Sequence, residues 1–144
     1  MSLYIDSSAL VSLYYPETAS RAVARAIGKA LITFTFLHEL ELKNGLSLKK
    51  FRGEASDAEI RGTLRLIEED RAAGRLSSPA LDWPKCWRLA CDLSLRHSGD
   101  VGTRSLDVLH IATALELGAK QFLTLDERQR KMAETVGLPL VRLR

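Results

Sequence analysis

Two acidic residues stand where a carboxylate could do chemistry. Asp6 ends the short apolar run Leu3–Ile5, and Asp126 ends a second apolar run that begins at Gln121. Both runs predict short buried strands that are followed at once by a helix. Ligands of parallel sheets bind beyond the carboxyl ends of the strands, which is where these two carboxylates would lie. Either acid could instead cap the following helix, because an Asp side chain accepts hydrogen bonds from helix N-terminal amides.

A third acid, Glu41, lies in the segment FLHELELKNGLSLKKF, whose helical period places an apolar stripe along one side. At about 100° per residue, Glu41 falls inside a stripe formed by Leu37, Leu40, Asn44, Leu48 and Phe51. Glu39 points the other way and predicts an i,i+4 ion pair with Lys43 on a solvated face. We therefore interpret Glu41 as directed toward the interior and Glu39 as an ordinary surface acid.

Asp107, the fourth acid, belongs to the helical segment SLDVLHIATALELG. The same plot places it in line with Ile111, Ala114 and Gly118. This alignment predicts an inward orientation. The alternative is an acid in the first turn of a helix that Thr103 or Ser105 caps, and such acids usually point to solvent.

Inward carboxylates have a physical requirement that points to a metal. A charged group away from water is costly unless it is paired or binds a metal, and four acids gathered at one pocket would repel one another. A divalent cation resolves this conflict, and all-oxygen ligation favours Mg²⁺ or Mn²⁺ over zinc. Such an ion lowers the pKa of a bound water and neutralises charge on a phosphoryl group. The four acids therefore predict metal-assisted chemistry at a phosphate ester.

Length and composition predict one folded domain over residues 1–144. With 46% hydrophobic and 27% charged residues, the chain lies outside the disordered and fibrous classes. A formal charge of +3 permits a polyanionic partner without requiring one. No segment has the length of a membrane span or the pattern of a signal peptide, so we expect a cytoplasmic protein without membrane contact. Cys86 and Cys91 match no zinc spacing, and we expect free thiols.

Short apolar runs alternate with segments of helical period along the chain. The predicted strands are 3–5, 31–36, 121–125 and 138–141. The predicted helices are 17–29, 38–52, 57–73, 83–96, 105–117 and 127–136. Strands separated by helices of this length predict an α/β fold with three layers, in which helices cover a mostly parallel central sheet.

Three segments carry a resemblance to a known family: YIDSSALVSLYYPE, ELKNGL and RSLDVLHIATALELGAKQFLTLDERQ. Together they resemble the PIN-domain ribonucleases, in particular the VapC-like toxins of type II toxin–antitoxin pairs. The resemblance spans essentially the whole chain, and the last segment is the most specific because acid, helix, glycine, strand and acid recur in the family's order. It implies a PIN-like α/β/α domain whose catalytic and metal-binding acids are Asp6, Glu41, Asp107 and Asp126.

The resemblance also implies an activity and partners. The expected reaction is Mg²⁺-dependent endonucleolytic cleavage of RNA by metal-activated water, without a covalent intermediate and with Mn²⁺ able to substitute. The expected assembly is a homodimer silenced by a cognate antitoxin, in a heterotetramer or a larger complex.

Four further features are candidates for supporting roles. In the family pattern a serine commonly follows the first acid by two residues, and Ser8 matches it. Thr124 matches the hydroxyl residue that stands two positions before the last acid. The resemblance therefore implies that each orients a carboxylate or a water. Arg104, beside the Asp107 turn, is a candidate for contacting substrate phosphate or the acids. The basic segment KKFRG at 49–53 predicts either a solvated helix end or a contact with a phosphate backbone.

Two other functions remain open on the sequence alone. A catalytically silent PIN-like module would bind RNA or a protein without cleaving, and the loss of one of the four acids would be its signature; none is missing. A phosphoacceptor or phosphatase would use Asp6 as nucleophile. Many such phosphatases carry an acid two residues later, where this chain has Ser8.

Overall fold

The computed structural model describes residues 1–144, which form four short strands, eight α-helices and one π-helical turn. The strands are β1 (Leu3–Ile5), β2 (Ile32–Thr33), β3 (Leu76–Ser77) and β4 (Gln121–Leu123). The helices are α1 (Ser7–Tyr14), α2 (Ser20–Ile27), α3 (Phe36–Phe51), α4 (Asp57–Ala72), α5 (Trp83–Leu93), α6 (Gly99–Val101), α7 (Ser105–Glu116) and α8 (Glu127–Thr135). The π-helical turn covers Ser94–Ser98. None of the helices combines the length and apolar character that crossing a membrane requires.

The predicted α/β class and the parallel pairing of strands are confirmed, and the strands form two two-stranded parallel sheets. By the contacts between its residues, the chain divides into two compact units. The first unit contains residues 1–6 and 80–142, and the second contains residues 7–79 with 143–144. Each sheet belongs to one unit, β1 with β4 to the first and β2 with β3 to the second.

The first unit is built around the β1–β4 pair. Tyr4 and Phe122 occupy opposite positions in the parallel register, and their rings stack at 5.6 Å between centroids. His110 of α7 meets the edge of the Tyr4 ring, and its Nδ1 lies 2.7 Å from the Tyr4 hydroxyl. All three residues of β1 are buried, as is typical of a strand covered on both faces. His110 is therefore a core residue.

The second unit packs α1 against α2 and α3, with α4 in contact with both α1 and α3. Its core side chains come from each of these helices and include Leu10, Val23, Leu42, Leu46 and Ile67. The sheet of this unit is short because each of its strands has only two residues.

Local hydrogen bonding explains why the predicted strand 31–36 ends early. Thr35 is the N-cap of α3: its hydroxyl accepts from the His38 amide at 3.3 Å, and its own amide donates to His38 Nδ1 at 3.1 Å. This reciprocal cap starts the helix at Phe36 and limits β2 to Ile32–Thr33.

Three other strands differ from the prediction. Strand β4 ends at Leu123, two residues earlier than predicted. The predicted strand 138–141 is reduced to one bridge between Leu140 and Phe122, since Pro139 has no amide to donate. Strand β3 was not predicted, because two residues carry no periodicity.

Cys86 and Cys91 are free thiols, as expected. Cys86 is buried and Cys91 is exposed. Burial raises the pKa of the Cys86 thiol.

Candidate active site

The pairing of β1 with β4 determines where Asp6 lies. The parallel register aligns Ile5 with Leu123, and the Asp6 amide donates to the Leu123 carbonyl at 3.0 Å. Asp6 and Thr124 are therefore the next residues on the two strands. Asp6 is only 2% exposed. Its carboxylate lies at the carboxyl end of the strand pair, where the sequence predicted a ligand site.

Thr124 connects the end of β1 to the start of α8. Its hydroxyl donates to Oδ2 of Asp6 at 2.6 Å and accepts from the Asp126 amide at 3.0 Å. The same hydroxyl also lies 3.3 Å from Oε1 of Gln129. A hydroxyl has one proton to donate, so the shorter contact to Asp6 is the principal one. The predicted role of Thr124 as a residue that orients a carboxylate is consistent with this geometry.

Asp126 is the N-cap of α8, as one of the two sequence interpretations held. Its Oδ1 accepts from the Gln129 amide at 3.0 Å, which satisfies one of the free amides of the helix. This hydrogen bond fixes the orientation of a half-buried carboxylate two residues beyond Thr124. Capping and ligand binding are compatible, because an Asp carboxylate has two oxygens.

Gln129 is a member of this network that the sequence interpretation missed. It is fully buried, and its Nε2 donates to the backbone carbonyl of Asp107 at 3.0 Å. A Gln three residues after an N-cap Asp usually turns back to the cap amide, and that spacing was the available signal. Here the Asp126 amide donates to the Thr124 hydroxyl, and the Gln129 side chain reaches the Asp107 carbonyl of α7 instead.

Asp107 lies in the first turn of α7 and is half-buried, on the same side of the helix as the buried Ile111 and Ala114. Its predicted inward position is consistent with this burial. The alternative interpretation required that Thr103 or Ser105 cap the helix. The N-cap position is held instead by Arg104, whose side chain makes no cap hydrogen bond. Within the first unit, Gln129 therefore connects the Asp107 backbone carbonyl to Asp126 by hydrogen bonds, and its Oε1 lies near the Thr124 hydroxyl that contacts Asp6.

Glu41 belongs to the second unit, on the side of α3 that faces α1. Ser7 of α1 is buried, and its hydroxyl donates to Oε1 of Glu41 at 2.9 Å. The sequence interpretation gave the supporting role to Ser8, which is half-buried, and not to Ser7. Ser7 immediately follows Asp6 in the chain.

The apolar stripe used to place Glu41 was assigned to the wrong side of α3. Leu40, Leu48 and Phe51 are exposed, whereas Leu42 and Leu46 are buried. The helix carries apolar residues on two opposite sides, and the helical period alone does not distinguish them. Glu41 lies at the edge of the buried side and is half-buried. The surface pair predicted for Glu39 is confirmed, with Lys43 Nζ at 2.8 Å from Oε1.

The basic candidates are exposed except for Lys49, which is half-buried. Arg104 is exposed at the start of α7. In the 49–53 segment, the three basic side chains form ion pairs with Glu17 at 2.7 Å, Asp57 at 2.7 Å and Glu54 at 3.0 Å. The pairs of Lys50 and Arg52 agree with the solvated-helix interpretation of that segment, whereas the Lys49 side chain is only 16% exposed.

The donor chemistry of the acids suits a hard divalent cation, because carboxylate oxygens are the ligands that Mg²⁺ and Mn²⁺ prefer. Neither unit contains a group of three or more His, Cys, Asp or Glu side chains close enough to hold a metal ion. The structure thus joins Asp6, Asp107 and Asp126 through Thr124 and Gln129, whereas the assignment of Asp6, Glu41, Asp107 and Asp126 to one metal site stays a prediction.

Comparison with known proteins places the chain in a family. The model of the PIN domain matches residues 3–135. Ribonuclease VapC3 of Pyrobaculum aerophilum is 32% identical over 93% of this chain and 94% of its own length. Ribonuclease VapC46 of Mycobacterium tuberculosis is 30% identical over 97% of this chain and 96% of its own length.

Solved structures share the fold at lower sequence identity. VapC20 of Mycobacterium tuberculosis, described as a toxin that cleaves the sarcin–ricin loop, superposes with a TM-score of 0.66 at 14% identity, over 98% of this chain and 99% of its own. FitAcB of Neisseria gonorrhoeae gives a TM-score of 0.61 at 13% identity, over 97% of this chain and 96% of its own. The chain, matched over most of its length by the family model and by two relatives of similar size, belongs to the PIN domain family.

Proposed function

We propose that this protein is a Mg²⁺-dependent endoribonuclease, the toxin component of a VapBC-like type II toxin–antitoxin pair. The observation that carries the proposal is the hydrogen-bonded network that joins Asp6, Asp107 and Asp126 through Thr124 and Gln129 at the carboxyl end of β1 and β4. Two relatives of at least 30% identity are named ribonucleases, which supports the same reaction class.

The carboxylates of Asp6, Glu41, Asp107 and Asp126 would hold the metal, with Mn²⁺ able to substitute for Mg²⁺. When bound, the divalent ion supplies an activated water and neutralises charge on the phosphodiester. Asp6 is oriented by the Thr124 hydroxyl, and Asp126 by the Gln129 amide of α8. Glu41 is oriented by Ser7. Carboxylates fixed by such bonds need little reorganisation before they act, which is the advantage of a preorganised site.

The substrate and partners follow from the same proposal. RNA is the substrate, and Arg104, an exposed cation, would contact its phosphates. A cognate antitoxin covers the acidic site, and the toxin forms a homodimer that assembles with antitoxin into a heterotetramer or a larger complex. The protein acts in the cytoplasm, as one domain over residues 1–144.

The experiment that tests the nuclease is cleavage of a mixed cellular RNA pool by purified, antitoxin-free protein. Reactions contain Mg²⁺, Mn²⁺ or EDTA, and they compare the wild type with Asp6→Asn. Asp92→Asn removes an exposed acid of α5 and is the matched control. We expect metal-dependent cutting by the wild type and by Asp92→Asn, and its loss in EDTA and in Asp6→Asn.

A different result would favour the binding-module alternative. Folded wild-type protein that binds RNA equally with and without metal, and leaves it intact in both Mg²⁺ and Mn²⁺, would contradict the nuclease proposal.

A further inference from the structure

Helix α2 carries positive charge at its exposed side. Arg21 and Arg25 are exposed and lie about one turn apart, roughly 6 Å along the helix axis. Lys29 is also exposed and follows Gly28, the glycine that ends α2 with a φ of 55°. We call Arg21, Arg25 and Lys29 the α2 cations.

The α2 cations have no counter-charge within the chain. None of the three forms an ion pair, and α2 itself contains no acidic residue. Glu17, the acid that precedes the helix, already pairs with Lys49 at 2.7 Å. On α3, by contrast, the exposed Lys43 is matched by Glu39 at 2.8 Å. The charge on α2 is therefore available to a partner.

The α2 cations contribute little to the stability of their own helix. Like charges at i and i+4 weaken a helix, and Arg21 lies in the first turn, where the helix dipole disfavours a cation. Only Arg25, in the last turn, is favoured by the dipole. The N-cap residue, Ala19, makes no side-chain cap hydrogen bond, so this eight-residue helix depends on the burial of Val23 and Ile27. Local folding thus does not explain the charges.

The chemistry of this surface fits a flexible polyanion. Between Arg21 and Arg25 the exposed residue is Ala24, which offers no large side chain of the kind that anchors a protein partner. Val23 and Ile27 are 0% and 5% exposed, so α2 has no apolar side to insert into a bilayer. A phosphate backbone needs neither a pocket nor an apolar anchor, because exposed cations bind it through its charge.

We propose that the α2 cations bind the phosphate backbone of the RNA substrate. The two arginines donate to phosphate oxygens through their guanidinium groups, and Lys29 acts as a point charge. Contacts of this kind hold and orient a strand without reading its bases. The inference rests on the RNA substrate of the proposed function, and it adds binding residues that take no part in the chemistry of the four acids.

The test is equilibrium binding of the full chain to a labelled single-stranded RNA of mixed sequence, followed by fluorescence anisotropy in EDTA at several salt concentrations. Each phosphate contact with a single strand contributes about 0.7 to the slope of log K against log salt. The triple variant Arg21→Gln, Arg25→Gln and Lys29→Gln should therefore lower the slope by about 2 and weaken binding at least about tenfold at about 100 mM salt.

The matched control removes the same charge elsewhere. Arg61→Gln, Arg65→Gln and Arg88→Gln change exposed positions on α4 and α5, two helices that also carry exposed acids. This triple variant should change the slope by less than about 0.7, the contribution of one contact. Arg21→Lys combined with Arg25→Lys keeps the charge and should bind within about threefold of the wild type. Circular dichroism verifies that every variant is folded.

Three outcomes would overturn the proposal. The first is a wild type that does not bind RNA, and the second is an equal loss of slope in the two triple variants, which would make the effect one of net charge alone. The third is binding of poly-glutamate that matches RNA binding in affinity and is lost in the α2 variant, since the surface would then suit an acidic peptide.

The binding measurement is separate from the cleavage assay. RNA that binds with a slope set by the α2 cations and is never cut would contradict the nuclease and leave this inference standing. RNA that is cut by the wild type, with an unchanged slope in the α2 variant, would contradict this inference and leave the nuclease standing.

Discussion

The hydroxyl of Thr124 donates a 2.6 Å hydrogen bond to Oδ2 of Asp6, a residue 118 positions earlier in the chain. The bond exists because the β1–β4 register brings Ile5 and Leu123 side by side and leaves the next residue of each strand in contact. It connects the most buried of the candidate acids to the segment that carries Asp126. The first three predictions concern this acid and the other hydrogen bonds that hold the candidate site.

Thr124→Val removes the hydroxyl and keeps the shape of the side chain. We expect RNA cleavage to fall about 10- to 100-fold, the usual effect of removing a group that orients a metal ligand. Thr124→Ser restores the hydroxyl and should stay within about threefold of the wild type. Cleavage rates under identical metal concentrations test this, and a fully active Thr124→Val protein would refute the orienting role.

Gln129→Met keeps the length of the side chain and deletes both of its polar ends. The Asp107 carbonyl loses the Nε2 donor at 3.0 Å. Because this part-buried hydrogen bond is lost without a replacement donor, we expect the free energy of unfolding to fall by about 0.5–1.5 kcal/mol. Arg128→Met, at the exposed neighbouring position, should change it by less than about 0.5 kcal/mol. Urea unfolding followed by circular dichroism measures both; equal stabilities would show that the bond contributes nothing.

Ser7→Ala removes the 2.9 Å hydrogen bond to Glu41 and leaves α1 otherwise intact. We expect a loss of cleavage of about tenfold, because Ser7 donates directly to Glu41. Ser8→Ala changes the serine that the sequence favoured and is measured beside it. Ser47→Ala on the exposed side of α3 is the control and should cut normally. If Ser8→Ala were the more damaging change, the original assignment from the sequence would be preferred.

Tyr14 predicts a dependence of stability on pH. Its hydroxyl donates to Oδ2 of Asp70 at 2.6 Å, and burial together with this bond raises the pKa of the tyrosine. In the unfolded chain a tyrosine ionises near 10. Above about pH 10 the unfolded chain therefore loses a proton that the folded chain keeps, and the free energy of unfolding falls as pH rises.

Urea unfolding between pH 7 and pH 11 checks this expectation. Tyr14→Phe should be less stable than the wild type by about 1 kcal/mol at pH 7. The difference should narrow above about pH 10, since the variant has no proton to lose at this position. Curves that stay parallel up to pH 11 would contradict the raised pKa.

Local signals in the sequence predict the parts of the fold that depend on neighbouring residues. Helix α4 was predicted to within one residue, because Ser56 and Glu59 form a reciprocal cap at its start and Gly74 adopts a positive φ after its end. The cap by Asp126 was anticipated in the same way. These features depend only on residues a few positions apart.

The features that the sequence did not predict depend on contacts between distant residues, or on which of two equally apolar sides of a helix is buried. Gln129 has a side chain whose partner lies 22 positions away, so its role depends on how α7 and α8 meet. The outward position of Leu40 and Phe51 was missed because α3 has two apolar sides, and packing rather than periodicity decides between them. The hydrogen bond from Ser7 to Glu41 likewise follows from the side of α1 that faces α3.

The sequence separation in the β1–β4 pair has a consequence for synthesis of the chain. At about 5–20 residues per second, a ribosome needs roughly 6–24 s to pass from Asp6 to Thr124. Contacts between such distant segments also form slowly, since a long loop must close before they contribute. The network around Asp6 therefore cannot exist on most of the growing chain, and any product that stops before β4 lacks it. If the protein cuts RNA, its activity begins only after the ribosome has passed β4.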